Sequence, residues 1–161
     1  MLEIVKIPER RKGVLIGADG SVKGRIEKST NTVLTINDGV EIEGESLEVM
    51  KAKDIVKAVG RGFSPEKAML LLSDDFRLVV ISMEGERENT IKRLFARVIG
   101  THGKTKRIIE KATETCISVY GKTVSIIGKW ESAERAGKAI ELLLEGKTHT
   151  YVYKFLEGGS E

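Results

Sequence analysis

The chain has 161 residues, of which 40% are hydrophobic and 32% charged, so a core is available and one domain or two small ones fit. The net charge of +3 is too small to decide the partner by itself. Cys116 is the one cysteine, which excludes an intrachain disulfide and a cysteine-cluster metal site, and no apolar run approaches the ~20 residues of a membrane span.

The first stretch, MLEIVKIPERR, alternates like a strand up to Pro8 and lacks a signal-peptide core. Glu9 to Ile16 reads as a short helix. A tight loop, Gly17-Ala18-Asp19-Gly20, interrupts it, since paired glycines allow a backbone that other residues resist. Helix resumes from Ser21 to about Ser29, with Val22 and Ile26 on one face. Thr32 to Ile36 reads as a strand with Leu34 and Ile36 inward. Asn37 to Gly44 reads as a polar connection, and Leu47 and Val49 mark the next strand. Asp54 is placed as the cap of a helix carrying Ile55, Val56 and Val59, which Gly60 and Gly62 end. Ser64-Pro65-Glu66 supplies a capping hydroxyl, a first-turn proline and an acid. The helix it starts, to about Leu72, is the expected joint between two halves; its Ala68, Met69, Leu71 and Leu72 need a partner surface.

Phe76 to Met83 reads as a strand. Asn89 to Ile99 is a helix, with Ile91, Leu94, Phe95 and Val98 at i, i+3, i+4 and i+7. Gly100-Thr101-His102-Gly103 interrupts it, and helix follows from Lys104 to about Thr113. Cys116 to Tyr120 and Thr123 to Ile127 are strands of a hairpin turning at Gly121-Lys122. Glu131 to Glu145 is the last helix, ended by Gly146. Tyr151 to Leu156 reads as a further strand or a docked tail, and 158–161 as fraying.

The two halves repeat each other. With Gly17 set against Gly100, an offset of 83, the pairs Ile16/Ile99, Gly20/Gly103, Lys23/Lys106, Ile26/Ile109, Glu27/Glu110, Lys28/Lys111, Thr30/Thr113 and Thr32/Thr115 are identical. That density marks an internal duplication. Each half reads strand–helix–loop–helix–strand–strand–helix, an α+β class in which helices cover one face of a three-stranded sheet. Charge is not shared equally. Residues 1–75 carry 12 basic and 13 acidic groups; residues 92–111 carry seven basic groups and one acid.

A Gly-x-x-Gly turn between two helices presents the amino end of the second, whose free N–H groups carry partial positive charge. The glycines let a phosphate backbone approach. The strand after the second helix makes a groove, with Ile99, Ile108 and Ile117 as expected walls, suited to single-stranded bases. The candidate RNA-binding residues in the second half are Arg97, Ile99, Gly100, Thr101, His102, Gly103, Lys104, Lys106, Arg107 and Ile108. In the first half they are Gly17, Ala18, Asp19, Gly20, Lys23 and Arg25. The first loop stays open between a site and a relic of duplication. Asp19 repels phosphate, and Asp38, Glu41, Glu43, Glu45 and Glu48 follow with no base from 38 to 48.

This arrangement resembles the KH domain of type I topology (β-α-α-β-β-α), twice over: domain 1 with a connecting helix at 1–73, domain 2 with a C-terminal tail at 74–161. More narrowly, GRGFSPEKAMLLLSDD (Gly60 to Asp75), RVIGTHGKTKRIIEKATET (from Arg97) and AIELLLEGKTHTYVY (Ala139 to Tyr153) resemble the archaeal version of the ribosome-assembly KH proteins called partner-of-Nob proteins in eukaryotes. The resemblance implies binding of single-stranded pre-rRNA near the 3′ end of the small-subunit RNA, in ribosome maturation or translation initiation. It also implies contact with the Nob endonuclease and with the alpha subunit of translation initiation factor 2. The alternatives are a protein-interaction adaptor in which domain 2 alone binds RNA, and a general tandem-KH RNA-binding regulator.

GTHGKT is not a nucleotide-binding P-loop, which needs four residues between its glycines and a strand before them. His102 and His149 have no ligand-spaced Cys, His or carboxylate around them, so neither a metal, a cofactor nor catalysis is expected. Cys116 is expected as a buried thiol and Trp130 as a packing residue. The lone cysteine fits a reduced, cytoplasmic setting. Lys104, Lys106 and Arg107 oppose the helix dipole where they stand, at roughly 0.3–1 kcal/mol each, and an anionic partner relieves that.

Overall fold

The computed structural model describes residues 1–158. The chain forms two compact units, Met1–Phe76 and Arg77–Glu161. Each has the strand and helix order the duplication implies.

In the first unit, β1 (Leu2–Val5), β2 (Val33–Ile36) and β3 (Val40–Glu43) form an antiparallel sheet in the order β1-β3-β2. Helices α1 (Glu9–Ile16), α2 (Ser21–Thr30) and α3 (Ser46–Gly60) cover one face. Leu15, Ile26, Leu34, Val40, Ile42 and Ile55 are fully buried there. On the open face Glu43 pairs in register with Leu2 and Val33, which are 54% and 58% exposed.

Three readings of this unit are corrected. The polar connection is strand β3: Val40 and Ile42 are buried and alternate with Glu41 and Glu43, after a turn closed by Asn37 N–H on the Gly39 carbonyl at 2.9 Å. The third strand therefore precedes Leu47, and Leu47 and Val49 lie in α3 instead. Two residues apart on a helix is more than half a turn, so Val49 enters the core while Leu47 is 85% exposed. Asp54 is interior to α3 and caps nothing.

The stretch expected as a joint packs on this same unit. Ser64 Oγ accepts from Lys67 N–H at 3.3 Å and starts α4 (Pro65–Ala68), followed by a 3-10 turn, Met69–Leu72. Ala68 and Leu71 are buried, and Lys51 on α3 donates to the Leu72 carbonyl and to Asp74, both at 2.8 Å. The hydrogen bond from Lys51 and its charge hold the Asp74 carboxyl below its ordinary value.

In the second unit, β4 (Phe76–Ser82), β5 (Cys116–Tyr120) and β6 (Thr123–Lys129) form a sheet in the order β4-β6-β5. Helices α5 (Glu88–Ile99), α6 (Lys104–Thr113) and α7 (Trp130–Leu144) enclose its core, including Ile91, Phe95, Val98, Ile109, Ile126 and Ile140. The hairpin turns at Gly121-Lys122 as expected. Gly146 ends α7 in a left-handed cap: its N–H bonds Leu143 O and Lys147 N–H bonds Leu142 O, at 3.1 and 3.0 Å.

The tail is not a strand: it is docked, and it docks as a helix, α8 (His149–Gly158). Its apolar repeat is four, not two: Val152 and Leu156 are buried against α6 and α7, at roughly 1.5–3 kcal/mol each. Thr148 caps it by accepting from Tyr151 N–H at 3.1 Å. Of the stretch 158–161 expected to fray, Gly158 is the last residue of α8, and 159–161 lie outside the described residues. Cys116 is half-buried rather than buried. Trp130 is 56% exposed, with the Arg77 guanidinium 4.7 Å from its ring centroid, so it is no core residue. Among the described residues no helix is long and apolar enough to cross a membrane.

Candidate nucleic-acid interface

Both Gly-x-x-Gly loops adopt one backbone. Gly17 and Gly100 have φ of 75° and 76° with ψ of 175° in each. Asp19 and His102 follow at φ 53° and 55°, and Gly20 and Gly103 at φ 74° and 75°. The first glycine is required twice over. Besides its φ, a Cβ on Gly100 would stand 2.3 Å from Thr105 Oγ1, and on Gly17 2.5 Å from a Val22 methyl carbon. A Cβ on Gly20 meets nothing, and on Gly103 only the Arg107 side-chain end at 3.0 Å.

Among the described residues no side chain caps α2 or α6 at its amino end. Each helix therefore opens onto solvent with its amino end and the positive end of its dipole. The candidate residues around the two loops differ in charge. At the first loop, Lys23 pairs with Glu27 at 3.2 Å and Arg25 with Glu66 at 3.8 Å, and Asp19 is exposed at the tip. At the second, Thr101, His102 and Lys104 are exposed, and Arg107 reaches back to the His102 carbonyl at 2.7 Å. Lys106 pairs with Glu110 at 3.4 Å.

Several identical pairs of the duplication build this frame. Glu27 accepts from Leu34 N–H and Glu110 from Ile117 N–H, both at 2.8 Å. These bonds fix the edge strand beside the second helix of each motif. Thr30 and Thr113 bond the carbonyls of Ile26 and Ile109 and the hydroxyls of Thr32 and Thr115.

Arg97 has a fastening role as well. Its guanidinium donates to the carbonyls of Leu143 and Lys147 at the end of α7. In the first unit Arg11 does the same for α3, bonding Val59 O and Phe63 O at 2.8 Å.

Two grooves flank the second loop. One is lined by Ile91, Phe95 and Ile99 of α5, with Asn89, Lys92 and Lys122 as polar rim. The other lies toward α8 and is lined by Arg97, Thr101, His102, Lys104 and Arg107, with His149 and Tyr153 opposite. Ile99 is thus a wall, Ile108 is half-buried, and Ile117 is a core residue at 3% exposure rather than a wall. Lys122 and Tyr153 are not among the residues the sequence points to: Lys122 reads as a turn residue alone, and Tyr153 lies in the stretch that reads as a strand or docked tail. His149, singled out by sequence as a histidine without a metal or catalytic setting, lines the second groove.

Comparison with known proteins follows the same division. Residues 76–161 match the eukaryotic type KH-domain (KH-domain type I) of the second PNO1 domain, and residues 2–58 match the KH domain. The KH domain-containing protein MJ0443 of Methanocaldococcus jannaschii is 47% identical over 97% of this chain and 73% of that protein. The pre-rRNA-processing protein pno1 of Aspergillus fumigatus is 34% identical over 65% of this chain and 44% of its own length, so the chain spans less than half of it. The crystal structure of Dim2p from Pyrococcus horikoshii superposes with a TM-score of 0.90 at 44% identity, covering 99% of both chains. A chain in the a/eIF2alpha-aDim2p-rRNA complex of that organism gives 0.91 at 43% identity, covering 98% of this chain and 93% of that one.

Proposed function

The chain belongs to the family of two-KH-domain proteins that includes Dim2p and PNO1, and on that premise we propose that it binds single-stranded pre-rRNA near the 3′ end of the small-subunit RNA. The second loop, Gly100 to Gly103, is the main site. It acts in the cytoplasm without chemistry of its own, in ribosome maturation or initiation. The modules are residues 1–73 and 74–161.

One observation carries this reading: the same loop backbone occurs twice, and the second is edged by Lys104, Arg107 and His102, where the first has Asp19 and paired cations. Phosphate contacts need uncompensated donors, and the second loop has them. The rRNA and a/eIF2alpha in the Dim2p complex, and the pre-rRNA-processing role of pno1, support the substrate class. Crosslinking the protein to total RNA in cells and sequencing the attached fragments tests it. Enrichment over the small-subunit 3′ region is expected; an even spread over messages and tRNA overturns it.

A second reading concerns the first unit alone. Its acidic open face, with Glu41 and Glu43 between Leu2, Ile4 and Val33, suits a basic protein partner better than RNA. The partners proposed for that face are the alpha subunit of initiation factor 2 and a Nob-type endonuclease.

A further inference from the structure

We propose that the groove between the Gly100–Gly103 loop and α8 is a second nucleotide subsite, which takes the phosphodiester and base flanking the nucleotides held on the Ile99 side. The proposal rests on the RNA-binding reading above and extends it to residues of α8.

The groove has a volume of about 780 Å³, within the range of roughly 300–1,000 Å³ that suits a small ligand and hence one nucleotide. Among the described residues no carboxylate lines it. Its cations are Arg97, Lys104 and Arg107, and its hydroxyls are Thr101, Thr105 and Tyr153. Lys104 has no side-chain partner among the described residues. His149 and Tyr153 give it an aromatic side, with ring centroids 6.2 Å apart and planes at 50°. Cations and the Thr101 hydroxyl on the loop wall, with rings on the α8 side, match a phosphate joined to a base. The opposite groove differs: Glu88 lines it, and its floor is Ile91, Phe95 and Ile99.

The aromatic wall is held rigidly. His149 Nε2 donates to the Arg97 carbonyl at 3.0 Å, and the Tyr153 hydroxyl is 3.2 Å from Thr105 Oγ1. Arg135 on α7 donates to the Leu156 carbonyl at the far end of α8. The rings therefore meet a ligand already ordered, which lowers the entropy cost of binding. The first unit lacks this set: Val22 stands in the place of Thr105.

The test uses the full chain and two fluorescent oligouridylates, of about four and about seven nucleotides, since one KH groove with its GxxG loop spans about four. The variants are His149→Gln, which keeps a donor toward the Arg97 carbonyl, His149→Glu, which puts a carboxylate at the start of α8, and Tyr153→Leu. A carboxylate there suits the helix dipole but cannot donate to the Arg97 carbonyl, so circular dichroism checks the fold of each variant before RNA is added. Wild type should bind the longer RNA at least about tenfold more tightly than the shorter, a gain of about 1.4 kcal/mol. His149→Glu and Tyr153→Leu should lose most of that gain, His149→Gln less, while all bind the shorter RNA like wild type. An undiminished gain in both His149→Glu and Tyr153→Leu overturns the subsite and leaves the main loop standing. Equal loss for both lengths also overturns it, showing damage to the main site. No binding of either RNA by wild type overturns the RNA-binding reading itself.

Discussion

Glu110 reaches across from α6 to accept the backbone N–H of Ile117 at 2.8 Å. It is partly buried, and the same oxygen meets Lys106 at 3.4 Å. Because β5 is the edge of its sheet, this N–H has no strand to bond, and the carboxylate takes the place of one. Glu110→Ala should destabilise the second unit by about 1–3 kcal/mol, the cost of an orphaned donor, and Glu110→Gln by less. Urea unfolding followed by circular dichroism reads the difference. Equal losses for both would show that the hydrogen bond is not what Glu110 contributes.

The two glycines of the second loop should not respond alike. Gly100→Ala places a Cβ 2.3 Å from Thr105 Oγ1 and 2.7 Å from its backbone nitrogen, so the loop must rearrange. Gly103→Ala meets only the flexible end of Arg107, and costs about 1–2 kcal/mol for its left-handed conformation. Thermal melts of the two variants should rank Gly100→Ala as clearly the less stable. The reverse order would contradict the packing around Thr105.

Glu114 ends α6 in the left-handed conformation, at φ 55° and ψ 47°. Its counterpart at the end of α2 is Asn31, a residue that tolerates this region. Glu114→Gly should stabilise the protein by about 0.5–1 kcal/mol, and Asn31→Gly by little. Melting temperatures taken side by side test the pair, and a destabilised Glu114→Gly would count against the capping argument.

Neutralising Glu41, Glu43 and Glu45 to glutamine should weaken binding of a basic protein partner and spare RNA. The contact should also weaken as salt rises, since the charges lie on an open face. Titration calorimetry against the alpha subunit of initiation factor 2 measures the first effect, and RNA anisotropy the second. RNA binding improved several-fold, with the protein contact untouched, would make this face an RNA gate instead.

What the sequence disclosed and what it hid follow from local physics. The amphipathic period of α5 and the proline-capped start at Ser64 are local signals, and both elements stand where the residues place them. Strand β3 was hidden because its exposed positions are glutamates, which read as a solvated connection until Val40 and Ile42 are seen to be buried. Helix α8 was hidden by the alternation Tyr151, Tyr153, Phe155, although its buried residues are Val152 and Leu156, four apart. The duplication was legible but its meaning was mixed. Glu27/Glu110 and Thr30/Thr113 recur because they hold the motif together, and the charge difference between Asp19 and His102 lies in the unmatched positions. Arg97 reads as a phosphate ligand by sequence; that it also fastens α7 through a carbonyl 46 residues away is a contact no local pattern reveals.

The central claim is that two loops of one shape differ in RNA binding because of what their third residue and its neighbours carry. His102 and Asp19 share a backbone conformation, at φ 55° and 53°, so exchanging the two residue types keeps each loop in the conformation it already has. The most direct measurement is the affinity of wild type, His102→Asp and Asp19→His for a single-stranded RNA of the small-subunit 3′ end, across a range of salt. His102→Asp should weaken binding by about tenfold or more, roughly 1.4 kcal/mol, and flatten the salt dependence, while Asp19→His changes affinity little. A folded His102→Asp protein with unchanged affinity, or one in which Asp19→His dominates the effect, would contradict it.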